Sequence, residues 1–335
     1  MQRNIAAFGG DPARVLQCGQ SAGAMISAAL GVIPEAAPLY QRAAPFSMQA
    51  LVTLDRERQA RFTHEVLAAL GLGPKALPTL ASLPFADLLR AQDVVRALGI
   101  AAIDPEDQMR WPFSFNHDDV TFRDDPATSI AKGRYRNVPT LIGATTEELL
   151  LSPAQERANP TARARLAKDG YLAALGTHIG AERAASIWST YRAAYPDASE
   201  LDVAGLMETD RLYRIPALRI AESLAPRHRS WSYAMAYRGT GPVFKGHITR
   251  LTSPSGSARC VTRRSRPSSS DTKPRQRRPR SRGRCSAPSS TLRDGRADWA
   301  PYDAIRRTTK RFNLAITVES DPQGATRKSW EGLVR

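Results

Sequence analysis

The sequence predicts an α/β protein whose sheet is mostly parallel and is covered by helices on both faces. Two observations support this fold class. Short strand-like segments alternate with helix-like segments over residues 1–251, and no internal repeat is visible. Because a parallel strand is usually buried on both faces, it is short and apolar along its length. The 335 residues suit one large domain of this kind or two small ones.

The elements of the first half follow in order. Residues 14–18 predict a short strand, and the alanine-rich residues 22–30 predict a helix. Residues 55–70 have the amphipathic spacing of a helix that ends at Gly71. Residues 140–143, which follow a proline-containing loop, predict a second short apolar strand.

The second half adds a helix and two strands. Residues 210–224 are predicted to be helical on both sides of Pro216, and residues 231–237 alternate as a strand does. Near the end of the chain every second residue is a large apolar one, which predicts a further strand through Phe312, Leu314, Ile316 and Val318.

The formal charge of +16 is concentrated in one segment. Residues 252–296 contain 13 Lys and Arg against two acidic residues, and they therefore carry +11 of the total. Eleven serines, five prolines and no aromatic residue predict that this segment is disordered. The predicted organisation is a body over residues 1–251, the Arg/Ser/Pro-rich segment over residues 252–296, and a C-terminal part of the same domain over residues 297–335.

Several classes of protein are disfavoured by composition. The longest uncharged stretch, residues 15–34, is too polar to span a membrane, so no membrane partner is expected. Three scattered cysteines are too few for a disulfide framework or a zinc site. No apolar signal segment follows Met1, which predicts a cytoplasmic protein for the chain as it stands, with the native compartment left open.

The strongest chemical signal is the sequence GQSAG at residues 19–23, between the first predicted strand and the first predicted helix. A G-x-S-x-G sequence in this context forms a strained turn that exposes the serine hydroxyl above the sheet. The N-terminal end of the helix then offers N–H groups to a developing oxyanion. The alternative interpretation is a glycine-rich turn with a purely structural serine.

The sequence NIAAFGGDP at residues 4–12, followed by GQSAG, resembles the type B carboxylesterases, a cholinesterase-like family of α/β-hydrolases, and especially their bacterial para-nitrobenzyl-esterase-like branch. The resemblance continues at residues 137–148, at Thr209-Asp210-Arg211 with Pro216, and over residues 299–330. It implies an α/β-hydrolase fold that is incomplete at the N-terminus. It also implies a serine esterase that acts on small-molecule carboxylic esters and needs no metal or organic cofactor.

The resemblance further implies a Ser-Glu-His triad. Ser21 would be the nucleophile, and the N–H of Ala22 would donate to the oxyanion. The acid would be Glu147 or Glu148, and the family's count of five residues past the glycine that ends the strand selects Glu148. His247 would be the base, since it fits the order Ser, Glu, His. The family's base occurs in a similar G-x-x-H-x-x-E-L-P context, in which Leu251 keeps the pattern and Arg250 and Thr252 depart from it. An ordinary loop histidine is the alternative for His247.

The other four histidines have contexts that suit other roles. His64 lies in the charged helix and His228 between two arginines, so both are predicted at the surface. His178 is predicted in a Gly/Thr loop. His117 stands beside two aspartates, ahead of the proposed acid.

Three departures from the family pattern define the alternatives to an active esterase. No glycine-rich oxyanion loop precedes Ser21, the Arg/Ser/Pro-rich segment begins within five residues of His247, and Gln20 stands where the family more often has glutamate. Paired frameshifts over residues 252–296 are one hypothesis for that segment. The first alternative is an inactive carboxylesterase remnant. The second is a nucleic-acid-binding protein, against which the segment's lack of aromatic residues argues.

Overall fold

The computed structural model describes residues 1–51, 53–98, 115–116, 118–149, 166–237, 292 and 295–333. Almost all of the predicted disordered segment, residues 252–296, lies outside these ranges.

A six-stranded sheet organises the fold. From one edge to the other it consists of β1 (Leu16–Gln20), β2 (Arg42–Phe46), β5 (Thr140–Thr145), β6 (Ser230–Met235), β7 (Thr308–Phe312) and β8 (Thr317–Ser320). The first five strands are parallel to one another, and β8 is antiparallel to β7. A separate pair is formed by β3 (Thr53–Leu54) and β4 (Phe115–Asn116). The predicted α/β fold with a mostly parallel sheet is confirmed.

The α-helices of the described ranges follow the strands in sequence. They are α1 (Ala22–Ala29), α2 (Arg56–Ala69), α3 (Phe85–Leu98), α4 (Pro126–Ala131), α5 (Lys168–Ile179), α6 (Ala181–Ala194), α7 (Glu200–Thr209), α8 (Ile215–Leu224) and α9 (Gly324–Ser329). A π-helical turn, Asp210–Arg214, joins α7 to α8. None of these helices combines the length and apolar character that crossing a membrane would require.

The two faces of the sheet have separate cores. On one face Ile142 packs with alanines of α1 and with Ile220 of α8. On the other face Leu141 and Tyr233 pack with Trp299. Alternation of neighbouring residues between faces is the normal geometry of a strand, and it explains why all six residues of β5 are buried. The third large core lies among α5, α6 and α7 and includes Ile215 of α8 and Trp330, which directly follows α9.

Local signals explain the elements that sequence analysis predicted well. The Asp55 carboxylate accepts the N–H of Arg58 at 2.8 Å and caps α2, while Gly71 ends the helix with a φ of 68°. The N-terminal strand begins two residues later than predicted because residues 12–14 form a 3-10 helix, with Pro12 at its start and Asp11 as its cap.

The predicted single strand over residues 312–318 is wrong. The structure has two antiparallel strands, β7 and β8, with the connection between them over residues 313–316. The side chain of Asn313 accepts the N–H of Leu314 within this turn, a local bond that favours turns. Leu314 is 89% exposed, so the apolar alternation did not mark a buried face.

The carboxyl ends of the strands are joined to one another by backbone hydrogen bonds. In four successive strands the first residue past the strand donates its N–H to a carbonyl of the next strand across the sheet. The pairs are Ser21 to Phe46 (3.1 Å), Ser47 to Gly143 (2.9 Å), Thr146 to Met235 (3.0 Å) and Ala236 to Phe312 (2.8 Å). Each of these loops therefore leaves the sheet from a fixed point.

Candidate active site

Ser21 occupies the strained turn that its sequence context predicts. Its φ is 56° and its ψ is −122°, between the end of β1 and the start of α1. A positive φ in a residue other than glycine costs about 1–3 kcal/mol and persists only where the surroundings enforce it. Here the N–H of Ser21 is held by Phe46, and its carbonyl accepts the N–H groups of Ala24 and Met25 at 2.9 and 3.0 Å. The side chain is exposed at the carboxyl ends of the parallel strands.

Ala22 is the first residue of α1, directly after the nucleophile candidate. The first N–H groups of a helix have no carbonyl one turn earlier to accept them. They carry part of the positive end of the helix dipole. Ala22 is exposed beside Ser21, so this N–H is available to an anionic oxygen that forms next to the serine hydroxyl.

The glycine before Ser21 allows the turn to form. Gly19 belongs to β1, and the position of its missing side chain is filled by the backbone of Gly23 in α1. The strand and the helix approach each other too closely there for a larger residue. Gly23 faces open space. Only the first glycine of the motif is therefore required by close packing.

Glu148 lies in the turn that follows β5. Its Oε1 accepts the N–H of Thr145 at 2.9 Å, which folds the carboxylate back over the end of the strand. Glu147 is buried, with 8% of its surface exposed.

The two carboxylates affect the pKa values of different tyrosines. Burial raises the pKa of the Tyr233 phenol well above its ordinary value, and the charge of Glu148 raises it further. Burial is also the main cause of the raised pKa of Tyr195, to which Glu147 contributes. The ring of Tyr233 lies 5.9 Å from the ring of Phe46, the residue whose carbonyl holds Ser21. Tyr233 therefore packs against the residue of β2 that anchors the nucleophile candidate.

Ser21 and Glu148 lie at the same edge of the sheet, past the ends of β1 and β5. These strands are separated by β2, hence by two strand spacings of about 10 Å in all. The structure thus brings the predicted nucleophile, oxyanion donor and acid to one region.

The predicted base, His247, lies outside the described residues, as does His117. His64 and His228 are exposed, as predicted. The expected loop position of His178 is wrong, because α5 continues through Gly176 and ends only at Gly180, which has a φ of 87°. His178 is exposed in the last turn of that helix.

Sequence analysis missed the π-helical turn between α7 and α8, which is hydrogen-bonded to the loop after β2. Pro216 has no N–H, so it cannot donate to the carbonyl of Leu212 four residues earlier. That carbonyl instead accepts the N–H of Ala50, in the loop after β2, at 2.7 Å. In the same loop Gln49 donates to the hydroxyl of Tyr213 at 2.8 Å. The proline inside a predicted helix was the available signal.

A buried polar network fixes the other side of this turn. Arg214 donates from its Nε to Asp210 at 2.6 Å, and the Tyr191 hydroxyl donates to the same carboxylate. The indole N–H of Trp330 donates to the Tyr191 hydroxyl at 2.8 Å. Burial alone would lower the pKa of Arg214, but the charge and hydrogen bonds of Asp210 hold it above its usual value. The network joins the π-helical turn to α6 and to the end of α9.

Comparison with known proteins gives a consistent result. The model of the carboxylesterase family matches residues 1–257. A para-nitrobenzyl esterase of Bacillus subtilis is 28% identical over 334 residues, which cover 98% of this chain and 64% of that protein. A juvenile hormone esterase of Heliothis virescens is 28% identical over 283 residues, which cover 75% of this chain and 48% of that protein.

Solved structures show the same relationship. A thermophilic PNB esterase superposes with a TM-score of 0.70 at 25% identity, covering 98% of this chain and 65% of that one. A carboxylesterase of Geobacillus stearothermophilus superposes with a TM-score of 0.71 at 23% identity, covering 98% of this chain and 66% of that one. The latter likeness shows the fold alone. The chain spans about two thirds of the length of these structures and of the Bacillus protein.

Proposed function

Because the chain belongs to the carboxylesterase family, we propose that it hydrolyses small-molecule carboxylic esters through an acyl-enzyme intermediate on Ser21. The observation that carries the proposal is the turn at Ser21. A serine with a φ of 56° between a strand and a helix costs stability. Such strain is typical of a nucleophile presented above a sheet.

The reaction would proceed in two symmetrical halves. His247 accepts the proton of the Ser21 hydroxyl as the oxygen attacks the ester carbonyl, and it then gives that proton to the departing alcohol. Water attacks the acyl-enzyme next. His247 takes a proton from the water and returns it to Ser21 as the carboxylic acid leaves.

Two further groups would stabilise charge in both halves. The N–H of Ala22 donates to the oxyanion of each tetrahedral intermediate, where one such donor is worth about 100- to 1,000-fold in turnover. Glu148 orients the imidazole and stabilises the imidazolium without taking its proton. The bond between Glu148 and the Thr145 N–H supports this role, because it holds the carboxylate in one orientation.

The test is hydrolysis of p-nitrophenyl acetate and p-nitrophenyl butyrate by the purified full chain. We expect release of p-nitrophenol by the wild type and its loss in Ser21→Ala. A second control is Ser27→Ala, which removes a buried hydroxyl of α1 six residues after Ser21. Equal rates in the wild type and Ser21→Ala would overturn the proposal and favour an inactive carboxylesterase remnant.

A further inference from the structure

We infer that Thr209, a residue that contacts no reacting atom, is a positioning residue for the acid Glu148. Thr209 is the last residue of α7 and is 1% exposed. Its hydroxyl accepts the backbone N–H of Leu149 at 3.1 Å. Leu149 directly follows Glu148, so this bond fixes the peptide group on the C-terminal side of the acid. The kinetic part of the inference rests on the proposed function.

The hydroxyl of Thr209 has a defined direction. Its hydrogen is donated to the carbonyl of Gly205, one turn earlier in α7, at 2.8 Å. A hydroxyl has a single hydrogen and two lone pairs, so the oxygen of Thr209 can only be the acceptor toward Leu149. The helix thereby holds the threonine rotamer, and the threonine holds the loop.

Glu148 is consequently restrained from both sides. On the N-terminal side its own carboxylate accepts the N–H of Thr145, the last residue of β5. On the C-terminal side the N–H of Leu149 is bound to α7. Two bonds to two different elements define where the carboxylate lies relative to the end of the sheet.

The helix around Thr209 explains why the restraint is found at this position. A threonine that donates to the carbonyl four residues earlier tends to bend a helix. The π-helical turn begins at the next residue, Asp210. Turns of this kind occur frequently at functional sites. The carbonyl of Leu212 in this turn accepts the N–H of Ala50, in the loop after β2. The loops after the neighbouring strands β2 and β5 are therefore both bonded to residues 209–214.

The experiment compares Thr209→Val, which keeps the shape and removes the hydroxyl, with Thr209→Ser, which keeps the hydroxyl. Thr190→Val is the matched control, since the Thr190 hydroxyl donates to a carbonyl one turn earlier in α6, at 3.1 Å. Amide exchange of Leu149 is measured by NMR, together with kcat and KM for p-nitrophenyl butyrate.

In Thr209→Val we expect exchange of the Leu149 amide to accelerate at least about tenfold, because the N–H has lost its acceptor. We expect kcat to fall by about 10- to 100-fold with KM within about twofold, since a small displacement of a catalytic group affects turnover more than binding. Thr209→Ser should restore both values, and Thr190→Val should change neither.

The inference fails if Leu149 exchanges freely in the wild type, a result that needs no variant to fold. It also fails if Thr209→Val leaves that exchange unchanged or if Thr209→Ser behaves like Thr209→Val. Absence of hydrolysis by the wild type would instead refute the proposed function. In that case the exchange data still decide whether Thr209 holds the loop.

Discussion

A Cβ atom on Gly19 would lie 2.2 Å from the carbonyl oxygen of Gly23, so β1 and α1 contact each other through bare backbone. Real Cβ atoms do not approach a backbone oxygen this closely, and neither partner is a flexible side chain. The contact sets the sharpness of the turn that carries Ser21, because it brings the start of the helix back over the end of the strand.

Substitution of the two glycines should therefore have opposite effects. Gly19→Ala forces backbone atoms apart, and we expect it to lower the free energy of unfolding by about 3 kcal/mol or more. Gly23→Ala meets open space inside a helix, where alanine is better than glycine by about 1 kcal/mol, so it should be neutral or stabilising. Urea unfolding of both variants checks this. Equal destabilisation would contradict the contact.

Strain at Ser21 can be measured apart from catalysis. Ser21→Gly and Ser21→Ala both remove the hydroxyl, but only glycine accepts a φ of 56° without strain. Relief of about 1–3 kcal/mol of strain is partly offset by the greater freedom of unfolded glycine, about 0.4–1 kcal/mol. We expect Ser21→Gly to be more stable than Ser21→Ala by about 1 kcal/mol in urea unfolding. A more stable alanine variant would argue against a strained turn.

The choice between the two adjacent acids has a direct kinetic test. Glu148→Gln keeps the size of the side chain and removes the charge that would stabilise an imidazolium, so we expect kcat for p-nitrophenyl acetate to fall by a factor on the order of 10,000. Glu147→Gln should leave kcat within about threefold of the wild type. The reverse ranking of the two variants would assign the acid to Glu147.

The lowered pKa of Asp118 predicts that the free energy of unfolding depends on pH. Its carboxylate accepts the N–H groups of Phe122, Thr121 and Val120. These bonds, of which that of Phe122 contributes most, lower its pKa from 3.8 to about 2. A carboxyl whose pKa is lower in the folded state stabilises the fold above its unfolded pKa, and this contribution is lost as the pH falls through the folded value.

Asp118→Ala should therefore be less stable than the wild type at pH 6, with a difference that shrinks as the pH falls from about 4 to about 2. Asp119→Asn is the control. Both side chains of the ion pair between Asp119 and Arg56 are exposed, so this pair contributes little to the free energy of unfolding. Chemical unfolding across this pH range gives both values. A difference that stays constant with pH would refute the role of the carboxylate.

The sequence predicted the local structures on which the candidate site depends. The strand–turn–helix at Ser21 has a strong local signature, and Glu148 follows an apolar strand that is recognisable by itself. The strand β2 between them was not predicted. It contains Pro45, and proline argues against an interior strand.

The structure shows how β2 accommodates its proline. Ala43 donates its N–H to the carbonyl of Pro139, which directly precedes β5, and Ser47 donates its N–H to Gly143 of β5. Pro45 lies between these two donors and faces the same strand, but it has no N–H to donate. β2 accordingly pairs with β5 at Ala43 and at Phe46, and the pairing is interrupted between them. β2 lies between β1 and β5 in the sheet, and pairing with a strand as distant in sequence as β5 leaves no local signature.

The long-range partner of the π-helical turn could not be predicted for a related reason. Pro216 indicated a break in the helix, but the partner of the freed Leu212 carbonyl is Ala50, which is far away in the chain. Helix periodicity carries no information about such a partner. The position of His247 also remains a prediction, because it lies outside the described residues.

The hydrogen bonds at the strand ends separate what the chain must keep from what it can change. In each of four loops the first residue past the strand is fixed by a bond to the neighbouring strand, and in the first loop this residue is the proposed nucleophile, Ser21. The proposed acid, Glu148, is the third residue past β5, and further bonds hold it and its neighbour Leu149. Loop residues outside these bonds can be exchanged more freely. A library aimed at new substrates would therefore hold Ser21, Ser47, Ala236 and residues 145–149 constant and diversify other loop positions.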